Sequence, residues 1–217
     1  MYKYKIYNNI AKEGLDILNQ NMQEDQVNPD TLLLRSQVLQ ESDFNSSLKC
    51  VGRAGAGTNN IPIAEATNKG VVVFNTPGAN ANAVKELVVC GMLLSSRGIL
   101  QGSSFAMTLK GLDGANLNAS MESEKKNFKG SELKGKTLGI VGLGAIGSLL
   151  AQTANIMGMK IIGYDPYISV DAAWRLPKEV EKADTLEALL SNSDYISLHV
   201  PLLESTKDLI SSKTLNI

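Results

Sequence analysis

The 217-residue chain is poor in cysteine, proline and aromatic residues, and it carries almost no net charge. Cys50 and Cys90 form neither a zinc-binding spacing nor a disulfide framework, and we expect no metal site. The net charge of −1 lacks the positive surplus that nonspecific binding to nucleic acid or anionic membrane requires. No apolar run approaches the ~20 residues that span a bilayer, and the first residues lack the apolar segment of a secretory signal. We therefore expect a cytoplasmic protein without nucleic-acid or membrane partners.

The first hundred residues alternate short apolar runs with amphipathic stretches, a pattern typical of a parallel sheet covered by helices. The long stretch from Ala81 to Leu100 has apolar residues at helical spacing and few charges, so we expect a helix that is buried around most of its circumference, at a domain junction or subunit interface. The polar stretch Gly102–Lys134 is typical of a solvated connector. The predicted strands of this half are Tyr4–Tyr7, Leu32–Leu34, Lys49–Arg53 and Val71–Phe74.

Strands and helices alternate regularly from Lys136 onward, which indicates a doubly wound sheet. The fold class predicted for the chain is α/β, with two parallel-sheet domains of Rossmann or flavodoxin type at residues 1–100 and 101–217. About four strands follow the connector where a complete dinucleotide-binding fold uses six, so we expect the second domain to be incomplete as written. The predicted elements are the strands Thr137–Val141, Lys160–Tyr164 and Tyr195–Val200 and the helices Ala145–Met157 and Thr185–Leu190.

The strongest motif is the glycine pattern Gly142, Gly144 and Gly147 between a predicted strand and a predicted helix. In this pattern the first glycine permits a tight turn, the second lets the backbone approach a diphosphate, and the third lets the helix lie against its strand. Free N–H groups at the helix start favour phosphate. Asp165 follows the last glycine by 18 residues at the end of the next strand. Its carboxylate can accept hydrogen bonds from ribose hydroxyls and repels a 2′-phosphate, which favours NAD over NADP.

Two arginines form a second candidate site. Arg35 and Arg53 each follow an apolar run, at the carboxyl end of a predicted strand where α/β sheets bind ligands. Arg53 leads into a glycine-rich loop whose N–H groups could hold an anion, and a guanidinium fork matches carboxylate or phosphate oxygens. For either arginine alone, a surface salt bridge is the alternative. Asn75 and the turn after it could line the same cleft or simply end a strand.

The only histidine, His199, lies at the end of a predicted strand. Oxidation of an alcohol needs a proton acceptor, and histidine commonly fills that role. No acid is positioned by sequence to orient this one, however, and a histidine at the end of a core strand is usually packed or beside a cofactor. We therefore do not assign catalysis to His199.

These motifs together resemble the D-isomer-specific 2-hydroxyacid dehydrogenases, and in particular their phosphoglycerate-oxidising branch. The likeness includes the connector from Lys126 to Gly139, the segment from Phe74 to Leu87 and the run from Gly163 to Ile168. The resemblance implies a substrate-binding domain that ends in a hinge or dimer helix, followed by a Rossmann domain for NAD, in a homodimer or higher homo-oligomer. Two positions depart from the residues found in many family members: this chain has Asn59 where they have Asp, and Ala145 where they have Arg.

The resemblance also implies roles for individual residues. Arg35 and Arg53 match substrate-anion positions, and Ala56 and Gly57 match a loop whose amides meet substrate and nicotinamide. The family's catalytic Arg, Glu and His match positions downstream of Ile217, so no catalytic residue is expected in this chain, which we expect to be an N-terminal portion. The remaining cofactor contacts implied by the resemblance are Ala145, Ile146, Asp165, Val200 and Pro201.

The function implied is NAD-dependent oxidation of 3-phosphoglycerate to 3-phosphohydroxypyruvate, in serine biosynthesis. Two arginines favour this doubly anionic substrate. The alternatives are dehydrogenation of another D-2-hydroxyacid, of glyoxylate/glycerate or lactate type, and a non-catalytic module that binds NAD.

Overall fold

The computed structural model describes residues 1–216 and divides the chain into two compact units, Met1–Asn80 and a second unit that begins at Ala81. Ile217, after which the sequence led us to expect the catalytic residues, lies outside the described residues. The division between the units falls earlier than the boundary predicted near residue 100. The long helix therefore belongs to the second unit, because its Met92 is part of that unit's core. None of the helices in the described part of the chain combines the length and apolarity needed to cross a bilayer.

The elements of the first unit are β1 Tyr2–Ile6, α1 Lys12–Leu18, β2 Met22–Glu24, β3 Thr31–Leu34, β4 Cys50–Arg53, α2 Ile63–Asn68 and β5 Val72–Asn75. The five strands form one sheet in which every pairing is parallel, in the order β2-β1-β3-β4-β5. Leu32, Leu34 and Val51 are fully buried in its core, and Phe44 packs with them. The four predicted strands are present, whereas the short edge strand β2 was not predicted because its three residues are largely polar.

The elements of the second unit are α3 Ala81–Ser96, α4 Ile99–Thr108, α5 Gly114–Glu124, β6 Thr137–Val141, α6 Ala145–Ile156, β7 Lys160–Tyr164, α7 Val170–Ala173, β8 Val180–Lys182, α8 Leu186–Ser191 and β9 Tyr195–Leu198. The four strands form a parallel sheet in the order β8-β7-β6-β9. Leu138, Ile140 and Leu150 have no exposed surface, so β6 and α6 form the centre of the core. The prediction of an α/β fold with two parallel sheets is confirmed.

The long helix is shorter and less buried than predicted. It ends at Ser96, and Gly98 lies so close to the backbone of Phe128 that a Cβ would be 2.7 Å from its Cα atom. Only Ala81, Met92 and Ser96 of α3 are buried, while Leu87 is 71% exposed. One face packs on the core of the second unit, so the expected burial around most of the helix is wrong for the chain by itself.

The connector predicted at Gly102–Lys134 is largely solvated, as expected, but most of it is helical, which was not predicted. It contains α5 and most of α4. The ring centroids of Phe105 and Phe128 lie 5.2 Å apart, and this contact joins α4 to the turn that follows α5. None of the residues of α4 or α5 is buried, which is why the segment lacks the apolar periodicity by which helices are recognised in a sequence.

Candidate functional site

The glycine turn of the second unit lies where three parallel strands end together. The register aligns Val141 of β6 with Tyr164 of β7 and with Leu198 of β9. The pairing continues into the turn, since Gly142 N–H donates to the Tyr164 carbonyl at 2.9 Å and His199 N–H donates to the Val141 carbonyl at 2.7 Å. The carboxyl ends of these strands are therefore fixed at one edge of the sheet, where open α/β sheets bind ligands.

Each glycine of the motif has a separate structural requirement. Gly142 has a φ of +90°, and a Cβ there would lie 2.7 Å from the His199 carbonyl oxygen. A Cβ on Gly147 would lie 2.0 Å from the carbonyl oxygen of Gly142, so only glycine lets α6 approach the turn. A Cβ on Gly144 would meet nothing within 4 Å. The backbone at Gly144 is thus open to a ligand, whereas the other two glycines are required by the fold.

The start of α6 offers unpaired backbone donors. Gly144 is the residue before its first turn, and no side chain caps the helix there. The N–H groups of the first turn have no partner within a helix, and the helix dipole adds positive potential. Ala145 at this turn is exposed and Ile146 is half-buried. An open glycine followed by these donors fits the diphosphate of a dinucleotide.

Asp165 directly follows β7 and is bound to the glycine turn itself. Its Oδ2 accepts a hydrogen bond from the Leu143 N–H at 2.8 Å, and its Oδ1 accepts one from the Tyr167 N–H at 3.0 Å. Each carboxylate oxygen has a second lone pair, so the half-buried group can still accept hydrogen bonds from ribose hydroxyls. The sequence predicted only the contact with ribose. The anchoring of the turn by Asp165 was missed, because a side-chain bond across 22 residues leaves no local pattern.

His199 and Val200 follow β9 and lie against Gly142 of the glycine turn. The His199 Nε2 and the Ser197 Oγ lie 2.9 Å apart, and burial lowers the pKa of the half-buried imidazole. A neutral ring paired with a hydroxyl does not have the carboxylate partner that orients a catalytic histidine. Val200 is half-buried, its Cγ1 lies 2.9 Å from the place of a Cβ on Gly142, and Pro201 after it is exposed. These side chains surround the predicted cofactor turn.

The first unit has a cavity of about 710 Å³ at the carboxyl edge of its sheet. The register aligns Arg53, the last residue of β4, with Leu34 of β3 and with Asn75 of β5. Arg35 comes directly after Leu34, and both arginines line the cavity. Asn8, Gly55 and Thr76 line it as well. The two arginines singled out from the sequence are therefore brought together, as are the turns that follow β1 and β5.

Neither arginine has a carboxylate partner in the described part of the chain. The alternative of a surface salt bridge is thus not seen. Arg53 lies against Gly55, where a Cβ would come within 1.6 Å of its Nη1, and its buried Nε has no hydrogen-bond partner. A half-buried guanidinium with an unused donor beside a polar cavity is suited to an anionic ligand.

The remaining loop residues lie beside the cavity. Asn75 Nδ2 donates to the Ala56 carbonyl at 2.8 Å, so β5 holds the glycine-rich loop. Ala56 and Gly57 are exposed, and Gly55 is the residue of Gly55–Gly57 that lines the cavity. Asn8, which sequence reasoning did not single out, has a φ of +67° in the turn after β1. An asparagine directly after a strand was the available signal, because asparagine tolerates this conformation better than most residues.

Residues 103–217, more than half of the chain, match the family described as D-isomer specific 2-hydroxyacid dehydrogenase, NAD binding domain. The chain belongs to the D-isomer specific 2-hydroxyacid dehydrogenase family. The matched domain contains the whole glycine turn and Asp165, and NAD is its cofactor. The resemblance inferred from these motifs is thereby confirmed.

Similar proteins of the family include enzymes with different substrates. The chain is 40% identical to D-3-phosphoglycerate dehydrogenase of Methanocaldococcus jannaschii, over 83% of this chain and 32% of that protein. It is 39% identical to hydroxypyruvate reductase of Thermotoga maritima, over 94% of this chain and 63% of that protein. The chain therefore spans between about one third and just under two thirds of the length of these curated relatives.

Solved structures support the fold and the cofactor. The NAD+-bound 3-phosphoglycerate dehydrogenase of Entamoeba histolytica has a TM-score of 0.71 and 28% identity, covering 99% of this chain and 68% of that one. A glyoxylate reductase from Paecilomyes thermophila has a TM-score of 0.77 at 22% identity, covering 99% of this chain and 70% of that one, and is similar in fold. The second likeness is one of fold alone, and the family membership is shown by the match over residues 103–217.

Proposed function

We propose that the whole protein oxidises the C2 hydroxyl of 3-phosphoglycerate to 3-phosphohydroxypyruvate with NAD, the first step of serine synthesis. The observation that carries this proposal is the pair Arg35 and Arg53, which line one cavity without a carboxylate partner in the described part of the chain. 3-Phosphoglycerate has an anionic group at each end. Two guanidiniums can bind two such groups, and binding both ends fixes the orientation of the carbon between them.

The chemistry is a hydride and a proton leaving the same alcohol. NAD, when bound, would accept the C2 hydrogen together with the electron pair of its bond, as a hydride. In this proposal Arg35 and Arg53 hold the anionic ends, while the N–H groups of the Gly55–Gly57 loop orient the carboxylate. Asn75 steadies that loop through its bond to Ala56. The hydroxyl proton needs a base, which we assign to a part of the whole protein downstream of Ile217 rather than to His199.

A second candidate is reduction of hydroxypyruvate, and the 39% identity to a hydroxypyruvate reductase favours it. The two substrates can be separated by their phosphate. With NADH and the whole protein, we expect phosphohydroxypyruvate to be reduced at least tenfold more efficiently, in kcat/KM, than hydroxypyruvate. An Arg35→Ala variant should remove that preference. Equal efficiencies would favour the reductase, and NAD binding without turnover of either substrate would favour a non-catalytic module.

The role proposed for Asp165 predicts a change of cofactor preference. In an Asp165→Ala variant we expect NAD to bind about tenfold more weakly or worse, because charge-assisted hydrogen bonds to the ribose are lost. NADP should bind more tightly than to the unaltered chain, since repulsion of the 2′-phosphate is removed. Calorimetric titration with both cofactors measures the two constants. Because Asp165 also holds the Leu143 N–H, Asp165→Asn, which keeps an acceptor, controls for collapse of the turn. Undiminished NAD affinity in Asp165→Ala would contradict the assignment.

We further propose that the protein is a cytoplasmic homodimer or higher homo-oligomer, with α3 and α4 at the subunit interface. Leu87, Ile99, Leu100 and Met107 are between 49% and 74% exposed along these helices. Apolar side chains in such density are typical of a contact surface. Sedimentation velocity is expected to give at least twice the mass of the chain, and Leu87→Glu should shift it toward the monomer. A monomer at micromolar concentration would contradict this proposal.

A further inference from the structure

The segment that carries Arg35 is exposed, yet its backbone is held from one side by a single side chain. We call residues 35–37 the Arg35 loop. The Oδ1 of Asn8 accepts hydrogen bonds from all three of its N–H groups, at 3.2 Å from Arg35, 3.0 Å from Ser36 and 2.8 Å from Gln37. Three donors therefore converge on one oxygen, which belongs to the turn after β1 and is distant in sequence. Such an arrangement fixes the start of the Arg35 side chain.

The backbone of Asn8 is suited to this position. It follows β1 and has a φ of +67°, a conformation that asparagine and glycine adopt more readily than other residues. Strand β1 pairs with β3 in the sheet, and Tyr7 N–H donates to the Leu33 carbonyl at 2.7 Å. The left-handed turn after this last bond brings the short amide to the Arg35 loop.

The carbonyl groups of the same loop are held by another asparagine. Asn60 Nδ2 donates to the Arg35 carbonyl at 3.1 Å and to the Gln37 carbonyl at 2.6 Å. Asn60 is only 8% exposed, and its backbone carbonyl accepts a hydrogen bond from the Leu39 N–H at 2.9 Å. Its Oδ1 is buried without a hydrogen-bond partner. Leaving a buried oxygen unpaired costs free energy. In Asn60 this cost comes with the side-chain orientation that lets Nδ2 donate to both loop carbonyls.

We infer that Asn8 and Asn60 are positioning residues that hold the backbone of the Arg35 loop from its N–H side and its carbonyl side, and so place Arg35 in the cavity opposite Arg53. This inference rests on the proposed function, in which Arg35 is one of the two residues that bind the anionic ends of the substrate. A guanidinium on a fixed backbone loses less freedom when it binds an anion than one on a mobile loop. Both asparagines then act on affinity through Arg35.

Calorimetric titration of the whole protein with 3-phosphoglycerate tests this role in Asn8→Gly, Asn8→Asp and Arg35→Ala. Glycine keeps the left-handed backbone and removes only the acceptor, and we expect about tenfold weaker binding. Asp keeps the acceptor and should restore affinity to within about threefold. The matched control is Asn45→Gly, because the Oδ1 of Asn45 also accepts backbone N–H groups, from Ser47 and Leu48, away from the cavity. That variant should leave the affinity unchanged.

A double variant and a readout without ligand separate this inference from the proposed function. If Asn8 acts through Arg35, Asn8→Gly will weaken binding no further in an Arg35→Ala background. Hydrogen exchange at the amides of residues 35–37 should accelerate about tenfold in Asn8→Gly, with or without ligand. Unchanged exchange, or faster exchange with unchanged affinity, would overturn the positioning role alone. Failure of the unaltered whole protein to bind 3-phosphoglycerate would overturn the proposed function and this role with it.

Discussion

A Gly147→Ala variant is expected to lose NAD binding and to unfold at lower temperature. The new Cβ would lie 2.0 Å from the carbonyl oxygen of Gly142, which is a backbone atom in a turn held by hydrogen bonds on both sides. The overlap can be relieved only if α6 moves away from β6 or the turn changes shape. Overpacking of this kind costs about 1–3 kcal/mol. Either movement also shifts the N–H groups that we propose bind the diphosphate, so we expect NAD affinity to fall at least a hundredfold.

Two other glycines supply the controls for this prediction. Gly144→Ala meets nothing within 4 Å, so the fold should remain as stable while NAD binds more weakly, because the methyl group occupies the place where the diphosphate lies against the backbone. Gly91 lies within α3, and a Cβ added there would meet nothing within 4 Å. Gly91→Ala should stabilise the chain by about 1 kcal/mol, since glycine is a poor helix former, without effect on NAD. Thermal unfolding and calorimetry on the same three samples check this pattern. Full NAD affinity in Gly147→Ala would contradict the geometry of the turn.

An Arg53→Ala variant of the whole protein is expected to lose about two orders of magnitude in kcat/KM for 3-phosphoglycerate. Removing one partner of a desolvated, hydrogen-bonded charge pair costs ~2–5 kcal/mol, and 1.4 kcal/mol corresponds to a factor of ten. Arg53 is half-buried, and its Nε has no hydrogen-bond partner among the described residues. No protein acceptor therefore competes with an anion for this nitrogen. Steady-state NADH production at varied substrate concentration measures the effect.

The control variants distinguish charge from geometry. Arg53→Lys keeps the positive charge and loses the planar fork, so it should recover only part of the activity. Arg175→Ala removes an exposed arginine of the second unit and should leave kcat/KM unchanged. Unchanged activity in Arg53→Ala would remove Arg53 from the substrate site. A loss of NAD affinity rather than of substrate affinity would assign it a different ligand.

The cofactor half was predictable because its signals are local and regular. A buried strand, a glycine turn, an apolar helix and a second strand followed by Asp165 succeed one another within 30 residues, and each has its own sequence signature. The break between α3 and α4 was not predictable, because it depends on the close approach of Phe128 to Gly98 from outside the helix. The helices within the supposed connector were missed because no face of them is buried in the chain by itself.

The candidate site of the first unit was predictable only in part, for a related reason. Arg35 and Arg53 could be identified because each ends an apolar strand, and parallel strands bring their carboxyl ends to one edge of the sheet. The asparagines around them could not. Asn8 and Asn60 reach the Arg35 loop across 27 and 25 residues, and such hydrogen bonds arise from the order of the strands rather than from any spacing in the sequence.

Calorimetric titration of the 217-residue chain with NAD tests whether the turn between β6 and α6 binds the dinucleotide that the proposed oxidation requires. We predict one NAD per chain, at least tenfold weaker binding of NADP, and reduced affinity in Gly144→Ala. A sample whose circular dichroism shows the expected helices and strands but which gives no heat with NAD would contradict the account.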